Sequence, residues 1–530
     1  MREKVEGLLS RIPVSMPDLT VHDMTHLDAL WEMASMAAEG AITINPAEAF
    51  VFGAAILLHD AALSVAAYPN GLADLKQTLE WKDIVVSLSN EAGISPINPS
   101  EPSKEIVDLA IPLVLRQLHA IQASQLAKQG WPVSGGGIEY LIDDGDLRAF
   151  YGDTIGQIAH SHWWPISRVE AELSGELGAF PSRTTNRIDK IKLACLLRIS
   201  DALHLDQRRA PRFLRALVRP AGVAALHWTF QERLATPHIE REEVVFTSST
   251  AFLAPDADAW WLMYDTVNAV DQELQDVDRL MQERGKGVFK ARKVRGARSP
   301  ESLSRTVQPR GWRPVDTQLK VSDIPKVIHT LGGAKLYGDD PTIVLRELLQ
   351  NSADAIQARR RYESRKADWG EVTVSLREDP DGHWLSVEDN GIGMSERVLT
   401  GPLIDFGNSF WKSPLAVQEF PGLISSGMSA IGRFGIGFFS VFMLGKMVRV
   451  TSLRCGAGFE SARILEFRDG TASRPILLPV VRGGAPLDGG TRVEVLLKNA
   501  PRDRGGLLYN NGRDGAAISL HQGVSSFSVQ

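Results

Sequence analysis

Leu345-Arg346-Glu347-Leu348-Leu349-Gln350-Asn351-Ser352-Ala353-Asp354-Ala355 is the stretch on which the reading of this chain turns. On a helix, Glu347 and Asn351 project from one face, a turn apart. Two further segments follow in order: Asp389-Asn390-Gly391-Ile392-Gly393-Met394, then Ile431-Gly432-Arg433-Phe434-Gly435-Ile436-Gly437-Phe438-Phe439-Ser440. Each alone has a plain structural reading: a solvated helix face, a hairpin turn, a glycine-rich loop. Their order and spacing make the set informative.

A carboxylate beside a carboxamide suits two tasks. The Asn351 amide oxygen can ligate Mg²⁺, a hard cation that prefers oxygen. The Glu347 carboxylate can accept a proton from a water attacking a γ-phosphate. Trp384 to Asp389 reads as a strand, and Asn390-Gly391-Ile392-Gly393 as a turn needing two permissive backbone positions. A carboxylate held there accepts from the exocyclic amine of adenine, whereas guanine would present a carbonyl oxygen and be rejected. Gly432, Gly435 and Gly437 precede the apolar run Phe438 to Leu444. Closely spaced glycines let backbone N–H groups approach phosphate oxygens, and a following helix start adds positive potential. The three segments together predict a pocket for ATP and Mg²⁺ without a Walker-type loop.

The combination resembles the superfamily of gyrase, heat-shock protein 90, histidine kinase and MutL ATPases (GHKL), most closely its heat-shock chaperone type, over roughly residues 325–497. The resemblance implies a general base at Glu347, a magnesium ligand at Asn351 and a pocket residue at Asp354. It implies an adenine-reading aspartate at Asp389 with Gly391 and Gly393 in its turn, and phosphate-lid glycines at Gly432, Gly435 and Gly437. Gly490-Thr491, before the alternating Arg492 to Leu497, matches the family's final Gly-Thr strand, which sets Thr491 near the base. Met394 and Phe438, at the ends of the second and third motifs, are counted with the nucleotide-binding residues. Phe406-Gly407-Asn408-Ser409 stands where the chaperones carry a lid-proximal segment.

Upstream, residues 1 to about 210 read as mostly helical, with apolar residues at three- and four-residue spacings in Leu27–Ala34, Phe50–Leu58, Ile106–Gln122 and Ile188–Leu205. Ala225-Leu226-His227-Trp228-Thr229-Phe230 and Glu243-Val244-Val245-Phe246-Thr247 read as strands of a small appended sheet. Asp256 to Arg284 reads as one long amphipathic helix. Lys286 to Arg313 is basic, and is read as a solvated connector. Residues 323–497 alternate helix and strand signals, as an α+β domain does. Pro501 to Gln530, rich in Gly, Asn, Arg and Ser, reads as a loose tail.

Histidines are concentrated in the helical half. His59-Asp60 ends the apolar run Ala54 to Leu58; His26 lies upstream and Asp201 downstream, in Arg198-Ile199-Ser200-Asp201-Ala202-Leu203. Two imidazoles and two carboxylates suit Mn²⁺, Fe²⁺, Mg²⁺ or Zn²⁺. His119 and His162, with His160 nearby, are candidates for a second ion. The set His26, His59-Asp60 and Asp201 resembles the HD metal-dependent phosphohydrolase superfamily over about residues 15–210, which implies catalytic roles for His59 and Asp60. His22-Asp23 competes for the first motif; Leu27, Leu30 and Met33 favour His26 by placing it at a buried helix start.

The expected fold is multidomain: an all-α HD-like domain plus an α+β Bergerat-type (GHKL) ATP-binding domain. The expected boundaries are an HD-like domain at 1–215, a small β segment and long helix at 216–285, a basic connector at 286–322, the ATP-binding domain at 323–500 and a tail at 501–530. A length of 530 residues exceeds one core. The composition, 44% hydrophobic and 23% charged, is that of an ordinary globular protein. A net charge of −6 gives no overall pull toward nucleic acid or anionic membrane. Two separated cysteines exclude a disulfide framework or zinc ribbon, and no long run of uninterrupted apolar residues marks a membrane span. A cytoplasmic protein is expected. Its expected partners are ATP, a phosphoester or a protein client, and a second copy of itself, with nucleic acid left open. Two readings stand: an ATPase that regulates a phosphohydrolase, or a chaperone-like ATPase on a non-catalytic HD scaffold.

Overall fold

The computed structural model describes residues 1–94, 97–133, 135–178, 180, 187–315, 342–428, 430, 432, 435, 437–468, 474–481, 483–504, 506–509 and 519–525. The end of the expected connector (316–322), the start of the expected ATP domain (323–341), half of the tail, and Ile431, Arg433, Phe434 and Ile436 lie outside these. The chain divides into two compact units, Met1–Leu88 with Ser100–Gln318 and Ser89–Pro99 with Leu319–Gln530.

The first unit is helical, and its sequence marks the helix starts. Asp23 caps Met24–Ala38 by accepting from Thr25 N. Asn45 and Glu48 form a reciprocal capping box at Pro46–Leu58. Ser103, Asp144 and Asp189 cap Lys104–Leu126, Gly145–Ser161 and Lys190–Leu203. Each cap satisfies backbone N–H groups that have no partner within the helix. The apolar faces close on one core that includes Leu30, Phe52, Ile56, Val114, Ile155 and Leu197. Cys195 lies in this core, where burial pushes its thiol up to about 12, so it acts as a small apolar filler. Pro46–Leu63 and Lys104–Leu126 have the length and hydropathy of a bilayer-crossing segment. Most of Pro46–Leu63 nonetheless packs inside this core, whereas Lys104–Leu126 buries one face and leaves Leu109, Leu113 and Ile121 exposed.

Two expectations fail here. Ala225–Phe230 is not a strand but part of the helix Gly222–Arg233. Its alternating apolar residues imitate a strand, yet Ala225, Trp228 and Thr229 also keep helical spacing, and Ala224, Leu226, Gln231 and Glu232 favour helix. The small sheet consists of His238–Glu240, Glu243–Val245 and Lys293–Val294.

Nor is the basic stretch a solvated connector. Phe289, Val294, Leu303 and Val307 are buried in the helical unit's core. Its cations meet acids distant in sequence: Lys286 with Glu176 and Asp189, Lys290 with Glu39, Arg292 with Asp278, Arg295 with Glu240 and Glu243. The long helix Ala257–Glu283 carries much of that core, through Trp260, Met263, Val267, Val270, Leu274 and Val277.

In the second unit, the described strands are β1 (Val372–Asp379), β2 (Gly382–Asp389), β3 (Gly445–Leu453), β4 (Arg463–Phe467), β5 (Ile476–Pro479) and β6 (Gly490–Leu497). They form one antiparallel sheet in the order β5-β4-β3-β6-β2-β1. The helix Thr342–Tyr362 packs Val344, Leu345 and Leu348 against Leu385, Val387 and Val450 of the sheet. The register sets Asp389 opposite Thr491 and Thr491 opposite Ser452, at one end of three adjacent strands. The apolar run after Gly437 is shorter as a helix than expected. It makes a 3₁₀ turn, Gly437–Ser440, and one α turn, Val441–Leu444, before Gly445 opens β3.

Candidate functional site

In the helical unit, five elements deliver side chains to one point. His26 lies in the first turn after the Asp23 cap and is buried. His59 ends Pro46–Leu58, with Asp60 next to it. His119 comes from Lys104–Leu126, His162 ends Gly145–Ser161, and Asp201 lies on Lys190–Leu203. Asp60 is the centre. Its Oδ2 is 3.2 Å from His59 Nε2 and 3.9 Å from His26 Nε2, while its Oδ1 is 3.7 Å from both His119 Nε2 and His162 Nε2. Asp201 Oδ1 lies 3.7 Å from His26 Nε2 and 3.9 Å from His59 Nε2.

Two overlapping donor groups result, His26–His59–Asp60–Asp201 and Asp60–His119–His162, with donor atoms within 4.8 Å of one another in each. The sites fit a cation. Among the described residues, His26 Nε2 is buried without a hydrogen-bond partner, which is costly unless something else engages it. Burial works against charge on His59, yet Asp60 and Asp201 outweigh it and push the imidazole up to about 9. Burial and then His59 drive His162 down to about 4.

His160 stands apart, edge-on to Trp164. His22 does approach Asp60, at 3.8 Å, but its ring is also held by the Arg209 guanidinium and by Thr20 O. Four further residues surround the cluster: Arg209, whose Nη1 is 3.5 Å from Asp201, Arg198, and two that were not anticipated, Asp206 and His204, whose ring lies nearly parallel to that of His26. Arg198 donates to the Ser161 and Trp164 carbonyls, both at 2.6 Å, and pairs with Glu273, so it braces the turn that carries His162. The short spacing of His204 and Asp206 after Asp201 was the available signal.

In the second unit, Glu347, Asn351 and Asp354 share one face of Thr342–Tyr362. The glycine segment lies against that face. Gly432 N–H donates to Asp354 Oδ2 at 2.8 Å, and a Cβ on Gly437 would overlap Glu347 Oε2. Gly435 has φ +63° and touches Asn408, next to the lid-proximal Phe406-Gly407. Phe438 is buried in the core below.

Asp389 is buried at the end of β2. Its Oδ1 accepts from Gly391 N–H at 2.9 Å. Burial pushes its carboxyl up to about 7, although the Gly391 N–H, Ser352 and the Thr491 N–H pull the other way. Both turn glycines are required: a Cβ on Gly391 would meet Ala355, and Gly393, at φ +66°, passes against the Leu453 carbonyl. Met394 N–H donates to Ser452 Oγ at 2.9 Å, and Ser452 Oγ bonds Thr491 Oγ1 at 2.8 Å. Arg359 was not anticipated. It is buried, donates to Asn390 O at 2.9 Å, and pairs with Glu363 and Asp488, propping the turn from beneath. It continues the ladder Glu347, Asn351, Ala355 at four-residue spacing, which the run of arginines 359–361 obscures.

Comparison with known proteins agrees with this division. Residues 16–276 match the family HD-CE, and residues 340–471 match the family described as histidine kinase-, DNA gyrase B-, and HSP90-like ATPase. The chain is 35% identical over 146 residues to chaperone protein HtpG of Nitrobacter hamburgensis, covering 26% of this chain and 22% of the chaperone. It is 38% identical over 143 residues to HtpG of Azorhizobium caulinodans, covering 26% and 22%. With HtpG of Desulfotalea psychrophila it is 34% identical over 166 residues, covering 30% and 24%. The likeness thus spans less than a quarter of each of these three chaperones. The chain carries an HD-CE domain followed by an ATPase domain of the histidine kinase, DNA gyrase B and HSP90 type.

Proposed function

We propose that the chain binds and hydrolyses ATP with Mg²⁺ in its second unit, and that the nucleotide state regulates a metal-dependent phosphohydrolase in its first. The observation that carries the ATPase reading is the face on which Glu347, Asn351 and Asp354 meet Gly432 and Gly437. Hard oxygen donors on that face suit Mg²⁺, with Asn351 holding it through the amide oxygen. Glu347 accepts the proton of the attacking water. Asp389 accepts from the adenine amine while Gly391, Ser352 and Thr491 orient it. Gly432, Gly435 and Gly437 bring backbone close to the phosphates.

In the helical unit, His26, His59, Asp60 and Asp201 would hold one divalent ion, and Asp60, His119 and His162 a second. Such an ion supplies Lewis acidity toward a phosphoryl oxygen and acidifies water. Imidazole and carboxylate donors suit Mn²⁺, Fe²⁺, Mg²⁺ or Zn²⁺. The substrate class is a nucleotide or nucleic-acid phosphoester. Arg209, beside Asp201, is the nearest cation to accompany a phosphate. Linkage on one chain is the basis for regulation, a coupling between two sites.

The test is a nucleotide and oligonucleotide hydrolysis screen with Mn²⁺ or Mg²⁺, with and without ATP. Glu347→Ala should lose ATP turnover and Asp60→Ala should lose phosphoester cleavage, with wild-type cleavage changing when ATP is added. Cleavage that survives both substitutions overturns the site assignments. The likeness to HtpG favours a second reading, a chaperone-like ATPase on a non-catalytic helical scaffold. It predicts ATP turnover lost in Glu347→Ala and no phosphoester cleavage under any metal.

A further inference from the structure

We infer that His204 is a positioning residue that fixes His26 in the tautomer whose Nε2 faces the metal centre. The inference rests on the metal-centre reading above. The other three histidines of the cluster settle their tautomer within their own helices. Nδ1 of His59 lies 2.8 Å from Ile56 O, Nδ1 of His119 2.9 Å from Arg116 O, and Nδ1 of His162 2.5 Å from Ala159 O. A carbonyl only accepts. In each ring, therefore, Nδ1 carries a proton, which leaves Nε2 as the nitrogen that can offer a lone pair to an ion.

His26 sits too early in its helix for that device. Three residues back is the cap residue Asp23, whose carbonyl takes the Leu27 N–H at 3.3 Å. Instead, His26 Nδ1 meets His204 Nδ1 at 2.8 Å, the two rings lying nearly parallel with centroids 5.1 Å apart. Of two imidazole nitrogens sharing one hydrogen bond, one must donate and the other must be bare.

The far side of His204 decides which. Its Nε2 faces Asp206 Oδ1 across 3.6 Å, and both residues are fully buried. Asp206 is held as a carboxylate by Arg208, which donates its backbone N–H at 2.9 Å and Nη2 at 2.7 Å. The 3.6 Å from Nε2 to Asp206 Oδ1 is too long for a hydrogen bond, and His204 Nε2 has no such partner among the described residues. The field of the buried carboxylate nonetheless favours the His204 proton on Nε2 over Nδ1. His204 Nδ1 is then the acceptor, His26 Nδ1–H the donor, and His26 Nε2 presents a lone pair to Asp60 and Asp201. That nitrogen has no hydrogen-bond partner among the described residues, as a ligand nitrogen requires. Asp206, His204 and His26 thus do in series what a single carbonyl does for each of the other histidines.

The test is titration of the full-length chain with Mn²⁺ by calorimetry, comparing wild type, His204→Leu, His204→Asn and His26→Ala. Leucine removes the acceptor; asparagine places an amide oxygen where Nδ1 lay. His204→Leu should weaken one Mn²⁺ site about 10- to 100-fold, and His204→Asn should recover most of that loss. Metal-free thermal unfolding of the asparagine variant should match wild type. Histidine-selective ¹⁵N NMR of the wild-type protein should show His26 protonated at Nδ1, a reading that needs no variant to fold. Equal Mn²⁺ affinity in wild type and His204→Leu, when His26→Ala has lost the ion, overturns the inference. So does a His26 ring protonated at Nε2. A wild-type protein that binds no Mn²⁺ instead removes the metal-centre reading, and this inference falls with it.

Discussion

Asp354 Oδ2 accepts the Gly432 backbone N–H at 2.8 Å, joining the helix motif to the glycine segment across 78 residues of sequence. A hydrogen bond to a buried carboxylate is among the stronger ones. Asp354→Ala should cut affinity for a non-hydrolysable ATP analogue about tenfold, or ~1.4 kcal/mol. Asp354→Asn, which keeps an oxygen acceptor, should lose far less. Calorimetric titration measures both, and unaltered affinity in the alanine variant would show that the contact does not organise the nucleotide site.

Gly437 is close enough to Glu347 that a methyl group must displace the carboxylate. The obstacle is the far end of a flexible side chain, so the fold should tolerate Gly437→Ala. Turnover should not: moving a general base out of line costs about 10²-fold or more. We expect near-normal melting and nucleotide binding with strongly reduced phosphate release. Full turnover would separate Glu347 from the chemistry.

Burial raises the Asp389 carboxyl to about 7 in the folded chain. The folded state therefore holds this proton more tightly than the unfolded state. Its contribution is most stabilising below about pH 4, declines as pH rises to about 7 and is level above, a loss on the order of 4 kcal/mol. Adenine needs the ionised form, so ATP affinity should run the opposite way and be roughly tenfold weaker at pH 6 than at pH 8. Asp389→Asn should flatten both profiles and weaken ATP binding. A pH-independent ATP affinity in the wild type would refute this assignment.

Arg359 is 1% exposed and satisfies the Asn390 carbonyl while pairing with Glu363 and Asp488. Arg359→Leu would leave that carbonyl without its donor and Asp488 without its cation, while Glu363 would keep only Arg365. A loss of about 2–4 kcal/mol is expected, with ATP affinity falling because the turn behind Asp389 loosens. Chemical denaturation of the variant, with and without nucleotide, measures both effects.

Much of this architecture was legible in the sequence because it rests on local rules. Leu27 and Leu30 behind His26, and the glycines after Asp389, need only helix spacing and backbone sterics. His59 and Asp60 stood out as neighbours; that His119 and His162 meet the other oxygen of Asp60 is a product of packing. The misreadings share a cause. Lys286, Lys290, Arg292 and Arg295 looked solvated because their acidic partners are distant in sequence. The helix over Ala225–Phe230 was hidden because its apolar residues fit two periods at once. His204 and Arg359 act on other side chains or on backbone, and sequence spacing does not display that.

The return of residues 286–312 onto the helical unit also determines where the gene should be cut. A fragment stopped at Gly285, the end of the long helix in sequence terms, would lose Phe289, Val294, Leu303 and Val307 from its core and leave Glu243–Val245 with a bare strand edge. Exposed apolar cavities and an unpaired edge are an invitation to aggregate. A fragment carried through Trp312, whose indole N–H donates to Phe252 O at 3.0 Å, keeps those surfaces covered. It should be the shorter soluble piece in which metal chemistry can be measured without the ATPase.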